Sequence, residues 1–381
     1  MLVPGQPIEG RRPDRFRPPH CPWRDCPDHQ SATRYQCARA GSYRRQCDPH
    51  RKVPRFRCPT CRRTFSRQSF ASSYYLKRPE LLRPVAAGLV AGSAHRQLAR
   101  SLGCAPSTVT RLSARLGRQA LLLQATALAK LEHAVVEPFV WDHFETFVFS
   151  QEDQLGIGTA VGRHSWFVYS FDPAPHRRAG RRSARRRAPR RPLPEVVPAS
   201  VVRSTRRVLG LLNKLTPGRI RLISDDHPAY RRVTGDDPRV DHRILPNPPR
   251  GPGSDATVAA ERDREMFAVD LLHKLLRHSQ AHHRRETIAF GRRANGILER
   301  MALMLVWRNF VKKVSERRSD PLTPAMRLGL TDRRWSWRDV LAQRRFPNRI
   351  RLPHGWRRIY RRRWITPAVG RNALHELRHA F

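Results

Sequence analysis

Residues 219–226, RIRLISDD, read as a short strand of the buried type, apolar at Ile220, Leu222 and Ile223, that runs into two acids. The chain carries 75 Lys and Arg against 31 Asp and Glu, so an acid placed at a strand end is informative. Working outward, a helix is expected over 198–214 on the N-terminal side. Before it, 133–172 breaks into short runs rich in Val, Phe, Trp and Tyr that read as strands. Between them, 176–192 (HRRAGRRSARRRAPRRP) is a low-complexity Arg run, read as a solvated loop or insertion. On the C-terminal side DHRILP (241–246) is a further strand candidate, followed by the Gly/Pro loop NPPRGPGSD. Residues 258–283 and 294–314 read as long helices, and the chain from about 316 is basic and Trp-rich with weak periodicity.

Three acids stand at telling places in this order. Asp142 lies in EPFVWDHFETF on the first expected strand, Asp225 closes RLIS, and Asp270 lies on the 258–283 helix. Metal-dependent phosphoryl transfer needs two or three carboxylates gathered around hard cations such as Mg²⁺ or Mn²⁺. One ion activates the attacking oxygen and the other stabilises the leaving one. Taken singly, each Asp is more simply a turn or cap residue; the ordered set of three favours a metal site. Asp270, His273, Lys274 and Arg277 recur at helical spacing and share a face, with Lys274 and Arg277 placed to meet phosphates. Three strands, a helix, a strand ending in Asp225, another strand and an acid-bearing helix follow the order of an RNase H-like fold. The expected fold class is therefore multidomain α+β, with an RNase H-like α/β catalytic domain holding a mixed sheet.

The full chain has 381 residues, 39% of them hydrophobic, enough for two or three cored domains. Its formal net charge of +44 points to a polyanionic partner, most simply nucleic acid; a basic proteome or ribosome association is the plainer explanation. No run of 18 apolar residues is present, so no membrane span is expected, and MLVPGQPIEGRRPDRF lacks a signal-peptide core. The expected location is the cytoplasm, prokaryotic and nucleoid-associated.

Six of the seven cysteines precede residue 62. In a reducing compartment disulfides are disfavoured, and the pairs Cys21/Cys26 and Cys58/Cys61 read as two knuckles of a structural zinc site. His20, His29, Cys37, Cys47 and His50 are competing ligands, for which ordinary loop chemistry is the favoured reading. Residues 95–117, HRQLARSLGCAPSTVTRLSARLG, follow the pattern helix, Gly turn, helix, with Pro106 at the first position of the second helix. As a helix-turn-helix it would place Ser107, Thr108, Thr110, Arg111 and Arg115 on or near the DNA-reading face and Arg96 and Arg100 at phosphates; a plain helical hairpin is the bland reading. The expected organisation is a flexible basic arm (1–19), a zinc ribbon (20–77), a helix-turn-helix domain (78–130), a catalytic domain (131–315) carrying the Arg-rich insertion (176–192), and a basic extension (316–381).

The motifs FRPPHCPWRDCP (16–27), RFRCPTCRRTFSRQSF (55–70) with YYLKRPEL, the helix-turn-helix, DHFETFVFS, SDDHPAY, HHRRETIAFGRRANGILERMALMLVWRNFVK (282–312) and TPAMRLGL occur in an order that resembles insertion-sequence transposases. Those proteins have an N-terminal zinc ribbon and a DDE-type domain, and the resemblance spans about residues 15–345. It implies movement of a DNA element with inverted terminal repeats. A water activated between two divalent cations would cut the element's end, and the freed 3′-hydroxyl would attack target DNA. It also implies a dimer or larger assembly on double-stranded DNA. Carried over by motif, Asp142 is the first acid and Asp225, five residues before Tyr230, the second. The third position, about seventeen residues before the Thr of Arg285-Glu286-Thr287, falls on Asp270. Glu is usual there, so Glu286, Glu265 and Glu261 remain alternatives. Arg284, Arg285, Arg292 and Arg293 would clamp phosphates. Glu145 is either a helper of Asp142 or a solvated strand residue, and Trp307 and Arg308 are expected to brace the catalytic helix. A non-catalytic regulator built on the same DNA-binding parts, or a basic structural or RNA-binding protein, is the competing reading.

Overall fold

The computed structural model describes residues 16–30, 35–177, 199–235, 237–248, 255–317, 319, 321–342 and 344–366. Most of the expected basic arm, nearly all of the 176–192 insertion and the end of the C-terminal extension lie outside these residues. The chain divides into two compact units, Met1–Lys77 and Arg78–Phe381.

In the first unit, β1 (Ala38–Arg45), β2 (Asp48–Arg57) and β3 (Thr64–Ser66) form an antiparallel sheet in that order. Its core is small and aromatic: Phe56 stacks on Phe65 at 5.8 Å between ring centroids, and Phe65 meets Phe70 edge-on at 6.0 Å. A segment this size buries too little apolar area to be secure on its own.

The second unit opens with α1 (Leu82–Val90), α2 (His95–Ser101) and α3 (Pro106–Ala129). The turn between α2 and α3 needs left-handed backbone at Gly103, φ +55°, and Pro106 starts α3 without losing a bonded N–H. Beyond its first turn α3 is buried almost all round, from Leu112 to Leu128. Its partner is α8 (Ala294–Val306), and the crossing is close at Gly117, where a Cβ would lie 2.3 Å from the Glu299 carbonyl oxygen. The helical hairpin is therefore not packed as a separate bundle over 78–130; α3 is part of the core of the larger unit.

A five-stranded sheet follows, in the order β6-β5-β4-β7-β8. Strands β4 (Phe139–Val148), β5 (Ser150–Gly162) and β6 (Val168–Arg177) are antiparallel. Strands β7 (Ile220–Asp225) and β8 (Val240–Leu245) run parallel to β4. Helix α4 (Ser200–Leu215) joins β6 to β7, and the short α5 (Pro228–Thr234), which periodicity did not announce, joins β7 to β8. The protein is thus mixed α+β with two sheets, one of them mixed.

Helices cover both faces. On one, Arg207 of α4 holds Asp172 of β6 through Nε–Oδ contacts of 2.9 Å. On the other, the apolar stripe Ala268, Val269, Leu272 and Leu276 of α7 (Phe267–Ser279) faces β4 and β5. The single helix expected over 258–283 is two, α6 (Ala256–Glu265) and α7, parted at the fully buried Met266 (φ −85°, ψ −1°). The reason lies in their surfaces: α7 is amphipathic and docks on the sheet, whereas α6 buries only Glu265. Likewise the 294–314 helix stops being α-helical at Val306 and ends in a π-turn, Trp307–Val311. Asn309 in that turn accepts from Val168 N at 2.8 Å and donates to Gln124 Oε1 of α3 at 3.1 Å, tying three elements together. Arg308 is buried, its guanidinium over the Trp166 ring. The chain continues through α9 (Pro324–Arg327), α10 (Trp337–Val340) and α11 (His354–Tyr360). Trp356 of α11 donates to the Phe171 carbonyl at 2.9 Å. Among the described residues no helix is long and apolar enough to cross a membrane.

Candidate metal and nucleic-acid sites

Alternation along β4 sends Trp141, His143 and Glu145 to one face and Asp142, Phe144 and Thr146 to the other. The Trp141 and His143 rings fit only because β5 carries Gly158 opposite; a Cβ there would lie 2.3 Å from Trp141 and 2.9 Å from His143 Nε2. The parallel ladder pairs Trp141 with Ser224, so the next residue on each strand is an acid, Asp142 and Asp225. Neighbouring strands lie about 4.8 Å apart, and two carboxylates in one row repel. Burial, together with the Asp225 charge, pushes the Asp142 carboxyl up to about 8. Burial likewise raises Asp225, and its Oδ1 is buried with no hydrogen-bond partner. Asp226, next in sequence, points to solvent and pairs with Arg231 at 2.5 Å.

Of the four acids considered for the third place, Asp270 is the one whose charge raises both Asp142 and Asp225. Glu265 is instead buried against Arg163 (2.6 and 2.7 Å), and Glu261 is bonded to Arg243. Glu286 sits on an exposed bend. Asp270 is itself engaged: Arg262 donates to both of its carboxylate oxygens. Nothing in the sequence flagged Arg262, because the two residues lie on different helices and meet only through the break at Met266. His273 lies between the strands and α7, its Nδ1 3.6 Å from Asp142 Oδ2 and its Nε2 2.9 Å from Thr159 Oγ1. Burial lowers its pKa to about 3, leaving a neutral ring. On the other face His143 Nδ1 and Tyr230 Oη are 2.7 Å apart, a partnership no spacing revealed.

The orphaned Asp225 oxygen and the adjacent raised carboxyls fit a cation held between β4 and β7. The fit is incomplete at Asp270, since Arg262 must leave it first. Among the described residues one set of three or more Cys, His, Asp or Glu has all its ligand atoms mutually within 4.8 Å, and it is not this one.

That set is Cys21, Cys26, Cys58 and Cys61, three buried and the last half-buried. Their sulfurs stand 3.8 Å (Cys21–Cys61) and 3.7 Å (Cys26–Cys58) apart, too far for disulfides. A tetrahedron with Zn–S bonds of about 2.3 Å has edges of about 3.8 Å, so the four cysteines could hold a metal such as zinc. The competing residues serve otherwise. His20 and His29 each place Nδ1 on the Cys21 carbonyl, at 2.9 and 2.8 Å. Cys37 is half-buried and outside the set, and Cys47 and His50 are exposed. Asp28 Oδ2 accepts from Cys58 Sγ at 3.3 Å and Thr60 Oγ1 at 2.7 Å, and Asp25 grips Arg63, so each knuckle braces the other.

The residues expected at DNA are dispersed more widely than the sequence suggested. Arg96, Arg100, Ser107, Thr110 and Arg111 are exposed and Thr108 is half-buried. Thr110 Oγ1 is bonded to the Pro106 carbonyl at 3.0 Å. Arg115 is not on an exposed face: it is buried, because α3 sinks into the core after Leu112, and burial lowers its pKa to about 10. Arg277 is also committed to protein, donating to the carbonyls of His283 (2.7 Å) and Glu145 (2.5 Å) and lying over the Phe144 ring. Glu145 is no neighbour of Asp142; it lies on the opposite face of β4 and pairs with His176 at 3.1 Å. Lys274, Arg284, Arg285 and Arg292 are exposed, and Arg293 is half-buried. Arg96, Arg100, Thr110, Arg284, Arg292 and Arg293 line one groove, of about 1020 Å³. No protein-family model matches the chain, and a search of curated proteins returned no match.

Proposed function

We propose that the protein is a DNA transposase that binds the ends of a mobile element and cuts and joins DNA with divalent metal. The observation that carries the reading is the acid pair: Asp142 within β4 and Asp225 at the end of β7 follow the paired residues Trp141 and Ser224 on neighbouring parallel strands, with Asp270 within electrostatic reach. Three antiparallel strands followed by two parallel ones, in the order 3-2-1-4-5, is the sheet of the RNase H-like fold, which supports the same reading. In this proposal Mg²⁺ or Mn²⁺ at the acids supplies charge neutralisation at the attacking and leaving oxygens. Asp142 and Asp225 bind from the sheet, Asp270 completes the site once free of Arg262, and neutral His273 packs beside Asp142, its Nδ1 3.6 Å from Oδ2. The cysteine cluster acts as a zinc ribbon, and α2 with the first turn of α3 as a helix-turn-helix presenting Ser107 and Arg111 to the major groove. Assembly as a dimer or larger on paired DNA ends, in the prokaryotic nucleoid, belongs to the same proposal.

A second reading, a non-catalytic DNA-binding regulator, is favoured by one observation: Asp270 is neutralised by Arg262. The deciding experiment is metal-dependent cleavage and strand transfer on terminal-repeat DNA, comparing the wild type with Asp225→Asn. Activity lost in the variant supports the transposase. Equal behaviour of the two proteins, with DNA binding intact, leaves the regulator.

A further inference from the structure

The groove joins parts of the chain far apart in sequence. One wall is α2 and the turn before it; the other is the 284–293 segment, with the α8 residue Arg300 also lining it. The walls touch at Gly92, whose backbone is left-handed (φ +84°) and where a Cβ would lie 3.1 Å from Arg284 Nη2. Seven arginines and no aspartate or glutamate are among its lining residues. Arg96, Arg100, Arg284 and Arg292 have no carboxylate partner among the described residues. Same-sign charge in a concave, low-dielectric wall focuses the field and gathers anions. Guanidinium forks match phosphate oxygens two at a time. A groove of about 1020 Å³ with arginines along both walls suits a chain of phosphates better than a single one.

One feature of the wall is not cationic. Ile288 is fully exposed, at 101% of its reference area, between the groove residues Thr287 and Ala289. Against DNA, the broadest apolar surface such a side chain can meet is the face of a nucleobase, beside thymine methyls and deoxyribose. Apolar wedges inserted between base steps part the stack and bend the duplex.

We propose that this groove carries the sugar–phosphate backbone of DNA between the α2–α3 hairpin and the 284–293 segment, and that Ile288 enters the base stack and opens it. The proposal rests on the DNA-processing reading above but not on the acids being active. The arginines supply the salt-dependent part of binding, and Ile288 supplies unstacking without charge.

The test uses the full chain without added Mg²⁺ and a short DNA duplex carrying a single 2-aminopurine. Binding is followed against salt, and base unstacking by the rise in 2-aminopurine fluorescence. Arg284→Ala with Arg292→Ala, both at exposed positions, should weaken binding at least about 10-fold and lower the salt slope by roughly 2, one per lost phosphate contact. Ile288→Ser should leave that slope unchanged and abolish the fluorescence rise. An unchanged salt slope in the folded double variant overturns the backbone channel. A full fluorescence rise in Ile288→Ser overturns the wedge, and stronger competition by polyglutamate than by DNA overturns the ligand class. Asp142→Asn serves as a control: binding and unstacking intact without Mg²⁺, with cleavage lost in a parallel assay containing Mg²⁺, separates this proposal from the catalytic one.

Discussion

Asp142 and Asp225 stand side by side because the ladder between β4 and β7 pairs Trp141 with Ser224 and leaves an acid next on each strand. They share a face, they repel, and burial raises both carboxyls. Two like charges set together on the inside of a protein cost stability unless something positive lies between them. That cost is the physical reason to look for a cation there.

Neutralising either acid should therefore stabilise the metal-free protein while destroying its metal response. Asp225→Asn is expected to melt at or above the wild-type temperature without Mg²⁺, to gain nothing from Mg²⁺, and to lose at least about 100-fold in cleavage, the upper range for removing even an outer partner of a metal. Calorimetry with and without the ion checks this; a normal Mg²⁺ shift in Asp225→Asn would sink the site.

The response should also depend on pH. Asp142 holds its proton up to about 8, whereas an unfolded Asp releases it near 3.9. The folded state thus binds more protons between these values, and the metal-free protein should lose stability as pH rises from about 4 to 8. A cation competes with that proton, so the melting shift produced by Mg²⁺ should be larger at pH 8.5 than at pH 6.5. Asp142→Asn should flatten the difference.

The identity of the third acid separates by phenotype. Asp270→Asn should abolish cleavage even by the protein that remains folded, although unpairing the nearly buried Arg262 costs some stability. Glu265→Gln should cost stability, on the order of 3 kcal/mol for breaking a buried pair with Arg163, and leave cleavage by the residual folded protein intact. The reverse pattern in paired melting and nicking assays would move the site to Glu265.

Removing a metal from the cysteine cluster should unfold the first unit alone. Chelation or Cys58→Ser is expected to release one zinc per chain, measured by elemental analysis, and to erase the chemical-shift dispersion of residues 16–77. Melting of the 78–381 unit should be unchanged, because its core is built independently.

Gly117→Ala places a methyl 2.3 Å from a backbone oxygen of α8, which has no flexible end to swing aside. The helices must part, at a cost of about 1–3 kcal/mol, and the melting temperature should fall accordingly.

The sequence alone determined what is local. Apolar runs specified the strands of the larger sheet but not β1–β3, the Gly103 turn and Pro106 set the hairpin, and two cysteine pairs announced the four-cysteine cluster, because each depends on residues within a few positions of one another. It also placed Asp142 on the first strand of the larger sheet and Asp225 at the end of the strand RLIS. Only the tertiary structure decided which faces meet. It set the two acids in one row. It brought Arg262 onto Asp270 across a helix break, and buried Arg115 once α3 crossed α8 at Gly117. The acid row and the burial of Arg115 depend on strand register and on helix contacts between residues tens to hundreds of positions apart, and the Arg262–Asp270 pair, only eight positions apart, depends on where the helix breaks; no periodicity in the chain records them.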